Sequence, residues 1–254
     1  MAADGSGATR LKDLRQEGSM RAVFPNSAAQ NVEVVFLNTA GGVTGGDHFS
    51  IDAQVGAQGR LSLTTQAAER IYRAVGTNFA TVQNTLSVEQ NAQLFWLPQE
   101  TILFDGCRLK RRLDVEIAQS ARFLMLEPLV FGREASGENL KSCSFSDRVT
   151  LTCEGRPIYA DGIQLNGSIT ETLRHVAIGN SARALANIVL VDPNPEPLLN
   201  HLRQLLPPTS GASLVAQNVL VVRLLAADSF ALRQALLPIL TSLTNDAVPK
   251  NWRL

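Results

Sequence analysis

From Arg10 to about Leu165, apolar and polar residues alternate almost one by one, and this period of two limits what the chain can fold into. Ala80, Val82, Leu86 and Val88 alternate with Thr81, Gln83, Thr85 and Glu89. Leu113, Val115 and Ile117 alternate with Asp114 and Glu116, and Cys143, Phe145, Val149 and Leu151 alternate with Ser142, Ser144, Arg148 and Thr150. Successive side chains of a strand point to opposite faces, so each run is a strand with one buried face. Many short strands between Gly, Asn, Asp and Pro turns predict a mainly β protein: a sandwich, a barrel or a stacked-sheet solenoid. The segments share no fixed length or repeated motif, so a regular repeat protein is not expected.

The pattern changes after Leu165. Ser181 to Leu190 is rich in Ala and Leu and reads as a helix. Pro195 to Leu206 places Leu198, Leu199, Leu202, Leu205 and Leu206 on one helical face, ended by Pro207-Pro208. Asn218 to Leu225 reads as a buried strand. Asp228 or Ser229 caps a last helix with a stripe of Leu232, Leu236, Ile239, Leu240 and Leu243, which Pro238 is expected to kink. These stripes are assigned to packing. No segment is rich enough in Pro, Gly or Ser to divide two domains, so a disordered 1–8 and a single domain over 9–254 are expected.

The stretch "LNTAGGVTGGDHFSI" (Leu37–Ile51) puts four glycines, Gly41, Gly42, Gly45 and Gly46, into six residues. A phosphate-binding loop needs Lys directly after its last Gly, and here Asp47 follows. A dinucleotide fingerprint needs G-x-G-x-x-G before a helix, and here the residues from His48 to Val55 alternate as a strand does. The segment therefore reads as strand, glycine turn, strand.

Formal net charge is zero, with 23 basic and 23 acidic side chains, which gives no nucleic-acid footprint and no membrane-attracted surface. The densest basic run, Arg108, Lys110, Arg111 and Arg112, reads as the solvated face of a strand, with Leu109 and Leu113 inward. The three cysteines, Cys107, Cys143 and Cys153, lack a C-x-x-C pairing, so buried free thiols are expected rather than disulfides or zinc. No signal-peptide core and no apolar run of about 20 residues is present, so cytoplasmic residence is the simplest expectation.

Only three histidines occur, without H-x-x-x-H or H-E-x-x-H spacing, and there is no G-x-S-x-G nucleophile elbow. Carboxylate chemistry stays open: Glu69, Glu100, Asp105, Glu127, Glu134 and Glu138 cluster in sequence and could serve a hydrolase on a β-solenoid. Three stretches are dense in polar residues between apolar ones: "LTTQAAERIYRA" (Leu63–Ala74), "LPQETILFDGCRL" (Leu97–Leu109) and "FGREASGE" (Phe131–Glu138). Buried polar groups must be paired, so such density implies an internal hydrogen-bonded network, a water-filled passage or a contact surface. Turns and strand-edge charges are the plain alternative.

Taken in order, "TRLKDLRQEGSMRAVFP" (Thr9–Pro25), "LNTAGGVTGGD" (Leu37–Asp47), "LTTQAAERIYR", "LPQETILFDGCRL", "FGREASGE" and the closing "NWRL" (Asn251–Leu254) resemble the urease accessory protein D family, called H in some organisms. The match is dense from Thr9 to Glu138 and thinner beyond. Family members usually carry an extra stretch before the "TRL" segment, which implies that a first strand is missing here. Glu134-Ala135-Ser136 also stands where an apolar or small run is expected.

The resemblance implies an elongated, β-solenoid-like stack of β-sheets with a few α-helices packed on late in the chain. It implies a scaffold chaperone rather than an enzyme, working with accessory protein F and the GTPase accessory protein G on apo-urease subunits. It also implies a dimeric state within the accessory complex. No catalytic residue and no tightly bound cofactor are expected. Nickel is cargo in transit, and oxygen ligands with water hold such an ion more loosely than thiolates do. Asp47, His48, Glu69, Glu100, Asp105 and Glu134 are the candidate residues for a polar nickel passage, and Gly41, Gly42, Gly45 and Gly46 form a structural turn.

Overall fold

The computed structural model describes residues 1–3, 7–25, 31–133 and 136–253. In chain order the strands before the first helix are β1 (Ala2–Ala3), β2 (Thr9–Arg10), β3 (Met20–Val23), β4 (Val32–Asn38), β5 (His48–Val55), β6 (Arg60–Thr65), β7 (Glu69–Ile71), β8 (Ala80–Val88), β9 (Gln93–Leu97), β10 (Thr101–Leu103), β11 (Arg108–Ile117), β12 (Arg122–Phe131), β13 (Cys143–Cys153) and β14 (Arg156–Gly167). Then come α1 (Ile169–Arg174), β15 (Ala184–Val191), α2 (Glu196–Leu205), β16 (Gly211–Ala216), β17 (Val219–Ala226), α3 (Ser229–Thr244) and a 3-10 turn at Lys250–Trp252. The protein is mainly β, with solenoid-like stacking and two of its three described helices late in the chain.

Between β4 and β13 the chain winds as a coil. β4, β6, β9 and β12 pair in parallel in one sheet. β5, β8, β11 and β13 pair in parallel in a second sheet. Each crossing between sheets carries the chain one rung further, and the short strands β7 and β10, which follow β6 and β9, pair with each other in the first sheet, β10 also with β12. Antiparallel strands then extend both sheets: β14 joins β13, while β15, β17 and β16 continue outward from β12. The crossings differ in length, so the coil leaves no repeat in the sequence.

The second sheet keeps its outer face in solvent, which is why its strands alternate, whereas the first sheet is covered on both faces. The first sheet is covered by the second on one side and by α2 and α3 on the other. Between sheet and helices lies a core that includes Phe95, Leu126, Ile188, Leu236 and Trp252. Between the sheets lie two apolar clusters, one around Leu63, Leu86, Val115 and Phe123, the other around Ile71, Leu103, Leu109 and Phe145. β12 runs through the middle and is buried along nearly its whole length.

Several sequence expectations hold. α2 and β17 fall where expected, and Asp228 caps α3 by accepting from the Ala231 amide at 2.7 Å. α3 continues through Pro238. Proline there forfeits the bond to the Gln234 carbonyl, but both residues face solvent, where water satisfies that group. No helix among the described residues is long and apolar enough to cross a membrane.

Other expectations need correction. The helix expected over Ser181–Leu190 is strand β15, sandwiched between β12 and β17. Its run of Ile188, Val189, Leu190 and Val191 is buried on both faces, and a fully buried strand shows no period of two. Within residues 1–8, expected to lack structure, Ala2–Ala3 pairs with Thr9–Arg10 and the Met1 amino group reaches the Gln54 carbonyl at 2.9 Å. Arg111 is not on the solvated face of its strand. It shares the inward phase with Leu109 and Leu113 and is buried.

The four glycines turn the chain from β4 to β5 against β7. Val43 makes a parallel bridge to Ile71, with its amide on the Arg70 carbonyl and its carbonyl taking the Tyr72 amide, both at 2.8 Å. A Cβ on Gly42 would stand 2.2 Å from the Tyr72 ring, and one on Gly45 2.6 Å from Ala74 Cβ. Gly46 has φ +96°, a region costly for other residues. The close approach of backbone to neighbour is thus met.

Candidate functional site

The interior between the sheets is not apolar throughout. The two apolar clusters are separated by a polar belt, to which β8, β11, β12 and β13 each contribute one polar residue on the inward phase. On β11 the inward series is Leu109, Arg111, Leu113, and on β13 it is Phe145, Asp147, Val149. On β8 Asn84 lies between Val82 and Leu86, and on β12 Glu127 lies between Met125 and Leu129. Register aligns the belt. Arg111 stands opposite Asp147, and Glu127, Asn187 and Arg223 stand side by side across β12, β15 and β17.

Arg111 is its centre. It donates through Nε and Nη2 to the two oxygens of Asp147, at 3.0 and 2.6 Å, and through Nη1 to Thr101 Oγ1 at 3.1 Å. Glu127 Oε2 lies 2.6 Å from Arg111 Nη1. That oxygen has no aligned donor, so the contact is Coulombic rather than a hydrogen bond. Glu127 Oε1 accepts from Trp96 Nε1 at 2.7 Å. Two carboxylates therefore face one guanidinium in a site closed to bulk water. Burial alone would lower the Arg111 pKa, but Asp147 and Glu127 outweigh it and raise it. Burial pushes the Glu127 carboxyl up, against Arg111 and with the help of Asp147. The site carries one more acid than base, and charge of that kind attracts a proton or a cation.

Cavities flank the triad. On one side a cavity of about 70 Å³ is lined by Glu69, Asn84, Trp96, Gln99, Arg111 and Glu127 among others. Asn84 Oδ1, Gln99 Nε2 and Glu127 Oε2 have no hydrogen-bond partner, although these residues are 3, 3 and 4% exposed. Much of the rest of the lining is apolar, including Val43, Phe49, Ile51 and Ile71, so the orphan groups give a mainly apolar space, larger than the ~10–15 Å³ that one water needs, a polar end. On the other side a space of about 10 Å³ touches Glu127, Asp147, Asp161 and Asn187. Asp161 accepts from Asn187 Nδ2 at 3.0 Å and from Arg223.

On the opposite face of the first sheet, three of the singled-out sequence stretches converge. Asn251 Nδ2 donates to Thr64 Oγ1 at 3.3 Å and to the Thr65 carbonyl, and Trp252 Nε1 donates to the Leu97 carbonyl at 2.9 Å. Arg233 of α3 lies 4.7 Å from the Trp252 ring, binds Gln99 Oε1 and approaches Glu100 at 3.7 Å. The chain end thereby locks the corner loops that lead from β6 and β9.

The sequence candidates are not gathered in one place. Glu69 lines the larger cavity, and its carboxylate accepts from Asn38 Nδ2 at 3.2 Å. Burial raises its pKa, opposed by the Asn38 and Arg70 contacts. Glu100 is buried beside Arg233. Asp105 accepts from the Lys141 and Ser142 amides at 2.7 and 3.0 Å and from Arg73 at 2.7 Å. Asp47 closes the glycine turn by accepting from the Thr44 amide at 2.8 Å, and His48 Nδ1 lies 2.6 Å from Thr81 Oγ1. Asp47 and His48 border a separate open groove of about 1040 Å³, between the segment from Leu11 to Phe24 and strands β4 to β6. Glu134 lies outside the described residues. Among the described residues, no three His, Cys, Asp or Glu side chains are placed to hold a metal ion.

Arg111, Asp147, Asn84, Asp161 and Asn187 were missed as site residues. Four of the five, all but Asn187, carry one signal: a polar residue in the apolar phase of an otherwise alternating strand. The hydrolase reading needs two carboxylates facing a reachable cleft. Glu127 and Asp147 are instead both held by Arg111, and Asp105 by three donors.

A family model described as "UreD urease accessory protein" matches residues 1–253. The chain is 51% identical over 244 residues to the urease accessory protein UreD of Ruegeria pomeroyi, covering 96% of this chain and 95% of that one. It is 43% identical over 249 residues to the UreD of Roseobacter denitrificans, covering 98% and 91%.

Proposed function

The chain belongs to the UreD family of urease accessory proteins, and on that premise we propose that it is a cytoplasmic, non-catalytic scaffold for urease maturation. It bridges apo-urease subunits to accessory proteins F and G, supports nickel insertion into the urease active site, and leaves GTP hydrolysis to the G partner. Nickel is its cargo rather than a resident cofactor.

The observation that supports the nickel reading is the polar end of the larger cavity, where carboxylate and amide oxygens without hydrogen-bond partners gather. Glu69, Asn84 and Glu127 offer carboxylate and amide oxygens without a histidine or thiolate among them. Such a donor set suits a borderline divalent ion that must be held briefly and released. Glu69 is the sequence candidate retained for the passage, and Asn84, Glu127, Asp147 and Asp161 join it along the belt. Asp47, Glu100 and Asp105 act in the turns and ion pairs described above, with His48 at the groove.

The test is complementation. A urease operon lacking its own D component, co-expressed with this chain, should regain urease activity, and the chain should co-purify with accessory protein F and apo-urease. Failure to restore activity together with failure to co-purify would overturn the scaffold reading.

A further inference from the structure

Two of the three cysteines meet inside the protein, in a place the nickel reading does not use. Cys107 directly precedes β11 and Cys143 opens β13. These strands are parallel neighbours, with Arg108 opposite Ser144, so the two cysteines occupy the preceding rung together. The Ser144 amide donates to the Cys107 carbonyl at 3.0 Å, which fixes that rung. Both side chains point into the same apolar cluster and both are buried. Cys143 Sγ donates to the Phe104 carbonyl at 3.5 Å, at the corner that leads into Cys107.

Neighbouring strands lie about 4.7–4.9 Å apart. That spacing falls inside the roughly 4.4–6.8 Å range of Cα separations that a disulfide spans. The backbone on both sides is already tied together, because the Asp105 carboxylate holds the Lys141 and Ser142 amides. A bond between the sulfurs would join segments that are already apposed. Cys153 differs: it sits at the far end of β13, half-buried, with neither other cysteine near it.

We propose that Cys107 and Cys143 are a modification site, a dithiol that a peroxide converts reversibly to an intramolecular disulfide. The Cys143 sulfur attacks one oxygen of hydrogen peroxide as the O–O bond breaks; the thiol proton leaves with the second oxygen as water, and Cys143 becomes a sulfenic acid. The Cys107 sulfur then attacks the Cys143 sulfur. The S–O bond breaks, the hydroxide takes up the Cys107 proton as a second water, and the S–S bond forms. Two thiols lose two electrons in total and one peroxide gains them. Cys143 is placed first because it is the less buried of the two, 2% exposed against 0% for Cys107. In a reducing compartment the bond forms under oxidant and is reversed by thiols, the pattern of redox-sensing rather than structural disulfides.

The experiment uses the full-length protein. Peroxide-treated and untreated samples are denatured, alkylated and mapped by mass spectrometry. The untreated chain should show three free thiols. The treated chain should lose two, carry a Cys107–Cys143 linked peptide two hydrogens lighter than its reduced form, and regain all its thiols with dithiothreitol. Cys153→Ser should form the same link, and Cys143→Ser should leave Cys107 free. Retention of all three thiols under peroxide, loss confined to Cys153, or Cys143 carried to a sulfinic acid with Cys107 still free would each overturn the proposal.

Discussion

Arg111 on β11 and Glu127 on β12 belong to different sheets, yet Arg111 Nη1 stands 2.6 Å from Glu127 Oε2 in the space between them. The contact ties the two layers of the coil at the level where their apolar packing is interrupted. Asp147 completes it from β13, the strand beside β11.

Removing the guanidinium alone should be costly. Arg111→Met leaves two buried carboxylates without their cation, a loss of about 3–5 kcal/mol for a buried ion pair broken on one side. Denaturant unfolding checks this. Arg111→Lys should recover only part, since an ammonium cannot bind Asp147 with two parallel bonds. Wild-type stability in Arg111→Met would contradict the place given to the triad.

The glycine turn makes a separate prediction. Gly45→Val places its branched side chain against Ala74 and the Asn78 carbonyl, and Gly46→Val must adopt φ near +96°. Strain of this kind costs about 1–3 kcal/mol per residue. Both variants should therefore be less soluble and melt earlier. Gly41 has positive φ but open space around a Cβ, so Gly41→Asn should be tolerated far better. Equal melting profiles for Gly45→Val and wild type would refute the close approach.

Glu69 should show itself through pH. Burial raises its folded pKa, so the folded state holds that proton more tightly than the unfolded chain does. Its ionisation therefore costs stability as pH rises from the unfolded value, about 4.3, through the higher folded value. Glu69→Gln should match wild type near pH 4 and exceed it at pH 8, which melting curves across that range would register. A variant less stable at pH 8 than at pH 4, relative to wild type, would reverse the sign.

Asp105 should behave in the opposite way. Burial works to raise its pKa, but the Ser142 and Lys141 amides and Arg73 overcome this and hold it low. Its contribution is present above the unfolded carboxylate range and fades as pH falls through the folded value. Asp105→Asn should cost about 1.5–3 kcal/mol, the scale of hydrogen bonds to a charged group, and most of that cost should vanish in acid. Thermal melts at pH 7 and pH 3 provide the comparison.

The β-coil was legible because alternation survives wherever one strand face is buried and the other wet. It failed at Ser181–Leu190, where both faces of β15 are buried and the sequence loses its period. The same rule, applied strictly, exposes Arg111: counting by twos from Leu109 to Leu113 lands on it, although its basic neighbours suggest a solvated run. Asp147 between Phe145 and Val149 follows likewise. Asn187 carries no such signal, because β15 is apolar on both sides of it. The carboxylates of the polar stretches drew attention by their density; in the structure Asp47 holds a turn, and Glu100 and Asp105 lie in ion pairs with Arg233 and Arg73. What the sequence could not supply was which rung of one strand meets which rung of another, and the polar belt is a property of that register.

Counting nickel per urease active site after maturation with Glu127→Gln in place of the wild-type chain decides whether the ion passes through the polar belt. This change removes the surplus charge, leaves Arg111 paired with Asp147 and keeps an oxygen for Trp96 Nε1, so the fold and the complex should survive. Passage through the belt should give normal yields of the complex with accessory protein F and apo-urease, and urease poor in nickel. Full nickel loading from an intact complex would contradict the internal passage and leave the protein as a structural bridge alone.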